Sequence, residues 1–517
     1  MTIGSLAPGA VSFLQSTDRM VSQRRSINDL QQQMSTGRKS ESFSGLGIDR
    51  RISLDARSKI SAMEGFRAGI VDGRQRVKLM TTALTQLDDT VSQTRGELRT
   101  QAFQPSPDGR LRVQESARQN LSLAIDLLNT DHNGRYLFSG LAQDTRPVES
   151  ANFLIDGGDG FPGLRALAKE RAEAELGVNP ATQARSTGRL DIARDATNSP
   201  QAIDLGPDDS PFGFTIKTAT AEPPGGISAN SSTGGTWNFE VIDTPDDGDR
   251  VSITLGDRYG DGYEYTIELI ARANPSSPGE FAIGANAADT AQNLESAMRD
   301  AIEDQAHGVL AQRAQANAIE RYFDNPDNFS RPKFDPDDAS LPNSAWQADT
   351  TVDDTTLPQW YKENPPPESN DALAARSTAS LRIDDNQVVG IGARANEAPF
   401  REVLVAFSQL EILRFEDTAE GKQAFQHLSD RNADRLNSAP GSGLQAIGHQ
   451  IASAEVAMRD ADERHKVGVN MMMDMVDGVE EISKEEVAAK LLATQNRLEA
   501  SYQTTAMLSQ LTLLNYL

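Results

Sequence analysis

Between Ile52 and Leu98 apolar residues recur at alternating spacings of four and three: Ile52, Ala56, Met63, Phe66, Ile70, Val77, Met80, Leu84, Leu87, Val91 and Leu98, with Lys59, Gly73 and Thr94 breaking the series. No proline interrupts the stretch. At ~1.5 Å per residue such a helix would run roughly 70 Å, so its seam needs a second long helix beside it. Leu444, Ile447, Ile451, Ala454, Met458, Ala461, His465, Gly468, Met472, Met475, Val479 and Ile482 repeat the alternation toward the other end of the chain. Two such seams with everything else strung between them predict a mainly α protein. Its N- and C-terminal segments form a long antiparallel helical coiled-coil rod.

Thinner helices flank the seams. Over Ala10–Met34, Phe13, Met20, Ile27 and Met34 fall at intervals of seven, helped by Leu30, but Ser16, Gln23, Arg24 and Gln31 occupy positions where a stable seam wants leucine. This helix is expected to order only beside partners. Ser35-Thr36-Gly37 stops it, and the Ser- and Gly-rich run Lys39 to Gly47 reads as a flexible joint. At the far end, Ser483-Lys484-Glu485-Glu486 reads as a capping box, where the apolar register slips from Ile482 to Val487, Leu491, Thr494, Leu498 and Ser501. After Glu499 no charged residue follows, and Met507, Leu508, Leu511, Leu513, Leu514, Tyr516 and Leu517 cover nearly the whole circumference of a helix. A helix apolar all round is buried by something. Gln503, Gln510, Asn515 and several Ser/Thr make it too polar for membrane insertion. Only the thin first helix is free to cover it within the chain, so burial against other copies is expected.

Between the seams, Gln104–Gly109 is a turn and Leu111–Leu128 a third helix; Asn133-Gly134 then predicts a tight hairpin leading into Arg135–Phe138. From about Glu149 to Asp385 the texture changes, and eight of the eleven Trp and Tyr residues lie there. Alternation at Val251, Ile253, Leu255 and at Tyr263, Tyr265, Ile267, Leu269 predicts a hairpin, with Leu294, Met298 and Ile302 on a helix packed against it. This is an inserted α+β domain, and Asn325–Asn370, rich in Pro and Asp, reads as a surface excursion from it. Ala393–Phe415 and Glu420–Leu436 are helices returning the chain to the rod. The expected division is 1–42 plus 483–517 as terminal helices, 43–148 plus 386–482 as rod, and 149–385 as insertion.

Charge and chemistry narrow the class. The 517 residues carry 50 Lys+Arg against 75 Asp+Glu, a net charge of -25 with a pI near 4.7, which argues against nucleic acid as a partner. Cysteine is absent, so thiol catalysis, Cys-ligated zinc and disulfides fall away together. The opening residues have no basic region followed by an apolar run, and no cleaved signal peptide is expected. Asp246-Asp247-Gly248-Asp249 and Asp257–Gly262 have neither EF-hand nor repeat spacing and read as solvated turns. The histidines His132, His307, His427, His449 and His465 show no metal-ligand spacing, and no nucleophile or phosphate-loop motif stands in a strand-to-helix setting. No catalytic residue, metal or cofactor is therefore assigned.

The string Asn133-Gly134-Arg135-Tyr136-Leu137-Phe138-Ser139-Gly140, the Met34–Arg38 element and the final Leu511–Leu517 resemble the bacterial flagellin superfamily over roughly the first 150 and last 120 residues. Within it the string, marked by Asn133, Gly134, Arg135, Tyr136, Phe138 and Gly140, is more similar to hook-filament junction proteins than to filament flagellins; the terminal helices are common to both. The resemblance implies an extracellular structural subunit, exported through the flagellar type III channel, whose terminal helices line the inner layer of a helical assembly while the insertion faces outward. Its implied partners are copies of itself, flagellin, other flagellar hook-associated proteins and an export chaperone. Phe13, Met20, Ile27, Met34, Leu498, Tyr502, Leu508, Leu511, Leu514 and Leu517 are the candidate assembly residues. Two other readings stay open: a filament flagellin, and a secreted adhesin carried on a rod, which would rest on exposed Trp346 and Trp360.

Overall fold

A computed structural model describes residues 8–179, 185–208, 210–260, 262–324, 331–334, 346–348, 359–363, 372–437 and 443–514; the side chains of 8–16, 233, 347–348, 372–374 and 508–514 are outside the described set. Its helices are α1 (Pro8–Thr36), α2 (Arg50–Thr100), α3 (Arg112–Glu115), α4 (Ala117–Leu128), α5 (Ala151–Asp156), α6 (Leu164–Leu176), α7 (Ala287–Gln305), α8 (Ala311–Asp324), α9 (Ala372–Ser377), α10 (Ala398–Ile412), α11 (Ala419–Arg435), α12 (Gly443–Glu480) and α13 (Lys484–Leu514). Two compact units emerge: Met1–Arg74, Leu381–Val389 and Glu455–Leu517 form one, Gln75–Ser380 and Gly390–Ala454 the other.

In the first unit α2 and α12 run antiparallel, as their ion pairs show: Arg57 with Glu480 at 2.8 Å, Arg67 with Asp462 at 2.8 Å, Arg74 with Glu455 at 4.0 Å. Between them lie Ala56, Ile70, Met458, Ala461, Val469 and Val476, all buried. His465 belongs to this seam: its ring stacks on Phe66 at 5.4 Å and its Nε2 meets the Ile383 carbonyl at 2.7 Å. Gly73 breaks the apolar series because a Cβ there would sit 2.5 Å from Leu381 Cδ2 and 3.0 Å from Met458 Sδ.

The register departs from the expected one near both seam ends. Ile52 is exposed and Ser53 buried; Met475 is 39 % exposed whereas Val476 and Glu480 are buried. Ser53 is drawn inward by Glu480, which accepts its hydroxyl. Toward the end of α12 a strict seven-residue repeat drifts by ~20° per heptad on a straight helix, so the inward position passes from Met475 to Val476.

In the second unit the rest of α2 buries Val77, Met80, Leu84, Leu87, Val91 and Leu98, and Thr94 returns its hydroxyl to Thr90 O at 2.9 Å. Leu444, Ile447 and Ile451 of α12 are buried there too. Strands β1 (Asp131–His132) and β2 (Arg135–Tyr136) make one hairpin, β3 (Gly157–Gly158) and β4 (Phe161–Pro162) another. The strands β5 (Leu190–Ala193), β6 (Ala202–Pro207), β7 (Thr215–Glu222), β8 (Ile227–Ser231), β9 (Trp237–Val241), β10 (Arg250–Gly256), β11 (Glu264–Arg272) and β12 (Glu280–Ala282) build two sheets, ordered β5-β6-β9-β8 and β12-β11-β10-β7. The expected hairpin is β10–β11, with Val251 opposite Leu269, Ile253 opposite Ile267 and Leu255 opposite Tyr265. Leu294, Met298 and Ile302 of α7 are fully buried, and α7 packs on β11. Helix α8 packs on both α6 and α10, and Gln409 Nε2 donates to Ala316 O at 2.9 Å inside that contact.

Two expectations for the insertion are corrected. Trp346 and Trp360 are buried, 5 % and 1 % exposed; the first donates Nε1–H to Val178 O at 2.9 Å, the second packs on Phe323 at 5.2 Å. An indole has a large apolar area to hide; Trp346 opens a three-residue strand, Trp346–Ala348, opposite Phe334, and Trp360 lies in irregular chain, and neither stretch is long enough to show a period. Most of Asn325–Asn370 lies outside the described residues. Asp257, read as part of a solvated turn, is also buried; it accepts Arg313 Nε at 2.6 Å and Tyr265 OH at 3.1 Å, because a buried guanidinium requires a charged partner.

Candidate assembly interface

The two terminal helices pack against each other. On α1, Met20, Gln23, Ile27, Leu30 and Met34 are half-buried; on α13, Val487 is buried and Leu491, Thr494, Leu498, Ser501 and Thr505 are half-buried. Each series alternates by three and four, so each helix gives one narrow seam to the other. Half-burial of an aliphatic side chain contributes about 1 kcal/mol, and the glutamine, threonine and serine positions contribute less. Gln23 Oε1 is buried without a hydrogen bond among the described residues. The pair is therefore weak in itself. Off the seam, Val21, Leu492, Tyr502 and Met507 are 43 %, 61 %, 42 % and 61 % exposed.

The candidate assembly residues sort accordingly. Met20, Ile27, Met34 and Leu498 sit on the seam within the chain, whereas Tyr502 faces outward. Phe13 on α1 and Leu508, Leu511 and Leu514 on α13 have side chains outside the described set, and Leu517 lies outside the described residues altogether.

A clip ties the ends of the pair together. Helix α1 stops at Gly37, whose φ of 72° is the left-handed conformation that closes a helix C-terminus, its N–H donating to Gln33 O at 2.8 Å. Arg38 and Glu481 then form an antiparallel bridge: Lys39 N donates to Glu480 O at 2.7 Å and Ile482 N to Gly37 O at 3.1 Å. Ser483 caps α13 by accepting Glu486 N at 3.3 Å. The run expected to be a flexible joint thus starts with an ordered bridge and continues into a 3-10 turn at Phe43–Asp49. Below the clip, the Glu480 carboxylate accepts Arg57 Nε at 3.0 Å, Arg57 Nη2 at 2.8 Å and the Ser53 hydroxyl. Hydrogen bonding to Arg57 holds it down at about 2. The sequence carried no signal for this pair, since 423 positions separate its members.

The Asn133–Gly140 string is a fold-holding element. Asn133 and Gly134, with φ of 54° and 75°, form the two-residue turn between β1 and β2. Phe138 is buried edge-on against Phe400 at 5.6 Å, and its carbonyl accepts Ala395 N at 2.8 Å. Gly140, at φ 64°, leaves room for the Glu363 carboxylate, which accepts Leu141 N at 2.7 Å and pairs with Arg394 Nε at 3.1 Å. Arg135 is exposed and Tyr136 half-buried.

Chain ends paired through a thin seam and clipped to a long helix pair leave apolar residues outward. Residues 11–143 match the family model of the bacterial flagellin N-terminal helical region, about a quarter of the chain. The match supports a place in the bacterial flagellin superfamily. No curated protein matches the chain. Among the described residues no group of three or more His, Asp or Glu is placed to hold a metal ion, and no helix is long and apolar enough to cross a membrane.

Proposed function

We propose that this protein is a structural subunit of the bacterial flagellum of the hook-associated protein 3 type, joining hook to filament by helical self-assembly through α1 and α13. The observation that carries the reading is that apolar residues of α13 stay outside its seam: Leu492, Tyr502 and Met507 remain exposed although α13 already has α1 as its partner. Exposed apolar residues on a helix are a resource for contact between copies. The superfamily match supports self-association, export and an extracellular place in the flagellum; the junction position rests on the Asn133–Gly140 string. Leu492→Asp should leave the melting temperature of the monomer nearly unchanged. In cells it should abolish incorporation, with the mutant subunit and flagellin released into the medium and no filament on the hook. Normal assembly of the variant would overturn the reading. Filament flagellin is the second reading, and shearing separates the two: a junction subunit is scarce in sheared filaments and stays near the hook, a filament subunit is abundant in them.

A further inference from the structure

The β12-β11-β10-β7 sheet ends in a ladder only half built. Strand β12 pairs in parallel with Ile270–Arg272 alone, and Pro278, which has no N–H, precedes it where the ladder would otherwise continue. Ser276 and Ser277 turn away, giving their amides to Glu280 Oε2 at 2.7 and 3.1 Å. Ile270 donates its amide outward to Gly279 O at 2.8 Å, while Ala271 donates inward to Asp249 O at 2.8 Å. By the two-residue strand repeat, the amides and carbonyls of Glu268, Thr266 and Glu264 face the outer edge, where no strand pairs with them among the described residues.

That edge opens into a groove of about 880 Å³, whose opposite wall is α7. Ala297, Asp300, Ala301 and Asp304 present one face of the helix there, two small residues flanked by two carboxylates. Glu268, Glu303 and Glu420 add negative charge, and Arg185, already paired with Glu303 at 3.4 Å and with Asp304, is the one basic residue lining it among the described residues. Gln305 also lines the groove; it is 8 % exposed, and its Oε1 accepts no hydrogen bond among the described residues.

We propose that this groove is a strand-addition site for an extended, lysine- or arginine-rich segment of a partner protein. An unpaired strand edge facing a helix supplies main-chain hydrogen bonds to an added strand, and side-chain specificity comes from the helix wall. The small residues on α7 leave space for alternate side chains, and the surrounding carboxylates select basic ones. The same carboxylates oppose edge-to-edge pairing with a second copy of this chain, whose edge would bring Glu264 and Glu268 against their like.

The test uses the full-length monomer and a fluorescent heptapeptide alternating lysine with threonine or valine, blocked at both ends. Its binding, read by anisotropy, should weaken about tenfold when alternate peptide amides are N-methylated, and should fall steeply as salt rises from about 50 to about 500 mM. Asp300→Asn with Asp304→Asn should weaken it without altering the melting curve. Thr266→Pro, which deletes one outward amide, should abolish it in protein shown by circular dichroism to be folded. Equal binding of the N-methylated peptide would overturn the proposal and reduce the groove to an acidic surface. Absence of any peptide binding at low salt would overturn it outright.

Discussion

Replacing Glu480 by glutamine isolates what holds the two long helices together beneath the clip. The substitution keeps the shape and removes the charge that accepts both Arg57 Nε and Nη2. A carboxyl drawn from its ordinary 4.5 to about 2 would correspond at face value to about 3 kcal/mol. The Arg57 side chain is 42 % exposed, however, and solvent screening of such pairs leaves about 1–2 kcal/mol. Because the folded carboxyl titrates below the unfolded one, this contribution is complete above about pH 4.5 and is lost as pH falls toward 2. The clip reports it locally: the amides of Lys39 and Ile482 are bonded across the joint next to Glu480. Hydrogen exchange at neutral pH should be faster in Glu480→Gln by a factor of about 5–30 at these two amides. Arg57→Gln should act alike, and the double variant should add little, since both remove one interaction. Wild-type protection should fall toward that of the variant as pH drops from 5 to 2.5, after correction for intrinsic exchange. Unchanged protection in Glu480→Gln, or an identical pH dependence in both proteins, would refute the argument.

Two further outcomes follow from the second unit. Gly140→Ala places a Cβ 2.3 Å from Glu363 Oε1 in a left-handed backbone, so denaturant unfolding followed by tryptophan fluorescence should show a loss of about 2 kcal/mol, and a loss below about 0.5 kcal/mol would mean that the glycine is not required there. Trp360→Ala should cost about 3–5 kcal/mol, and wild-type emission should be blue-shifted and resist iodide quenching; ready quenching of this tryptophan would return it to the surface.

How far the chain could be read depended on whether a residue's surroundings repeat. The α2 seam from Ile70 to Leu98 is legible because each inward position meets the same kind of neighbour, so composition follows helical geometry. Val251, Ile253, Leu255 and their opposites on β11 are legible for the same reason at a period of two. The one-residue shift at Met475 and Val476 was not, because the drift of a straight helix accumulates without changing any single residue's character. The buried tryptophans, the Asp257–Arg313 pair and the Glu480–Arg57 pair were silent as well. Each is a single contact between distant positions, and one residue contains no period.

The Asn133–Gly140 string shows a different limit. It carries the likeness to junction proteins, yet its residues turn a hairpin, fill a core position with Phe138 and make room for Glu363 with Gly140. Their constraint is the fold of the second unit, where a misplaced Cβ or lost ring costs stability directly. The proposed assembly face obeys weaker rules: Leu492, Tyr502 and Met507 lie in water in the monomer, so nothing inside the chain dictates their identity. A resemblance drawn from the string therefore bears more directly on the scaffold than on the proposed place in the flagellum. That place has to be tested on α13, where a charge can be added at Leu492 without disturbing the scaffold.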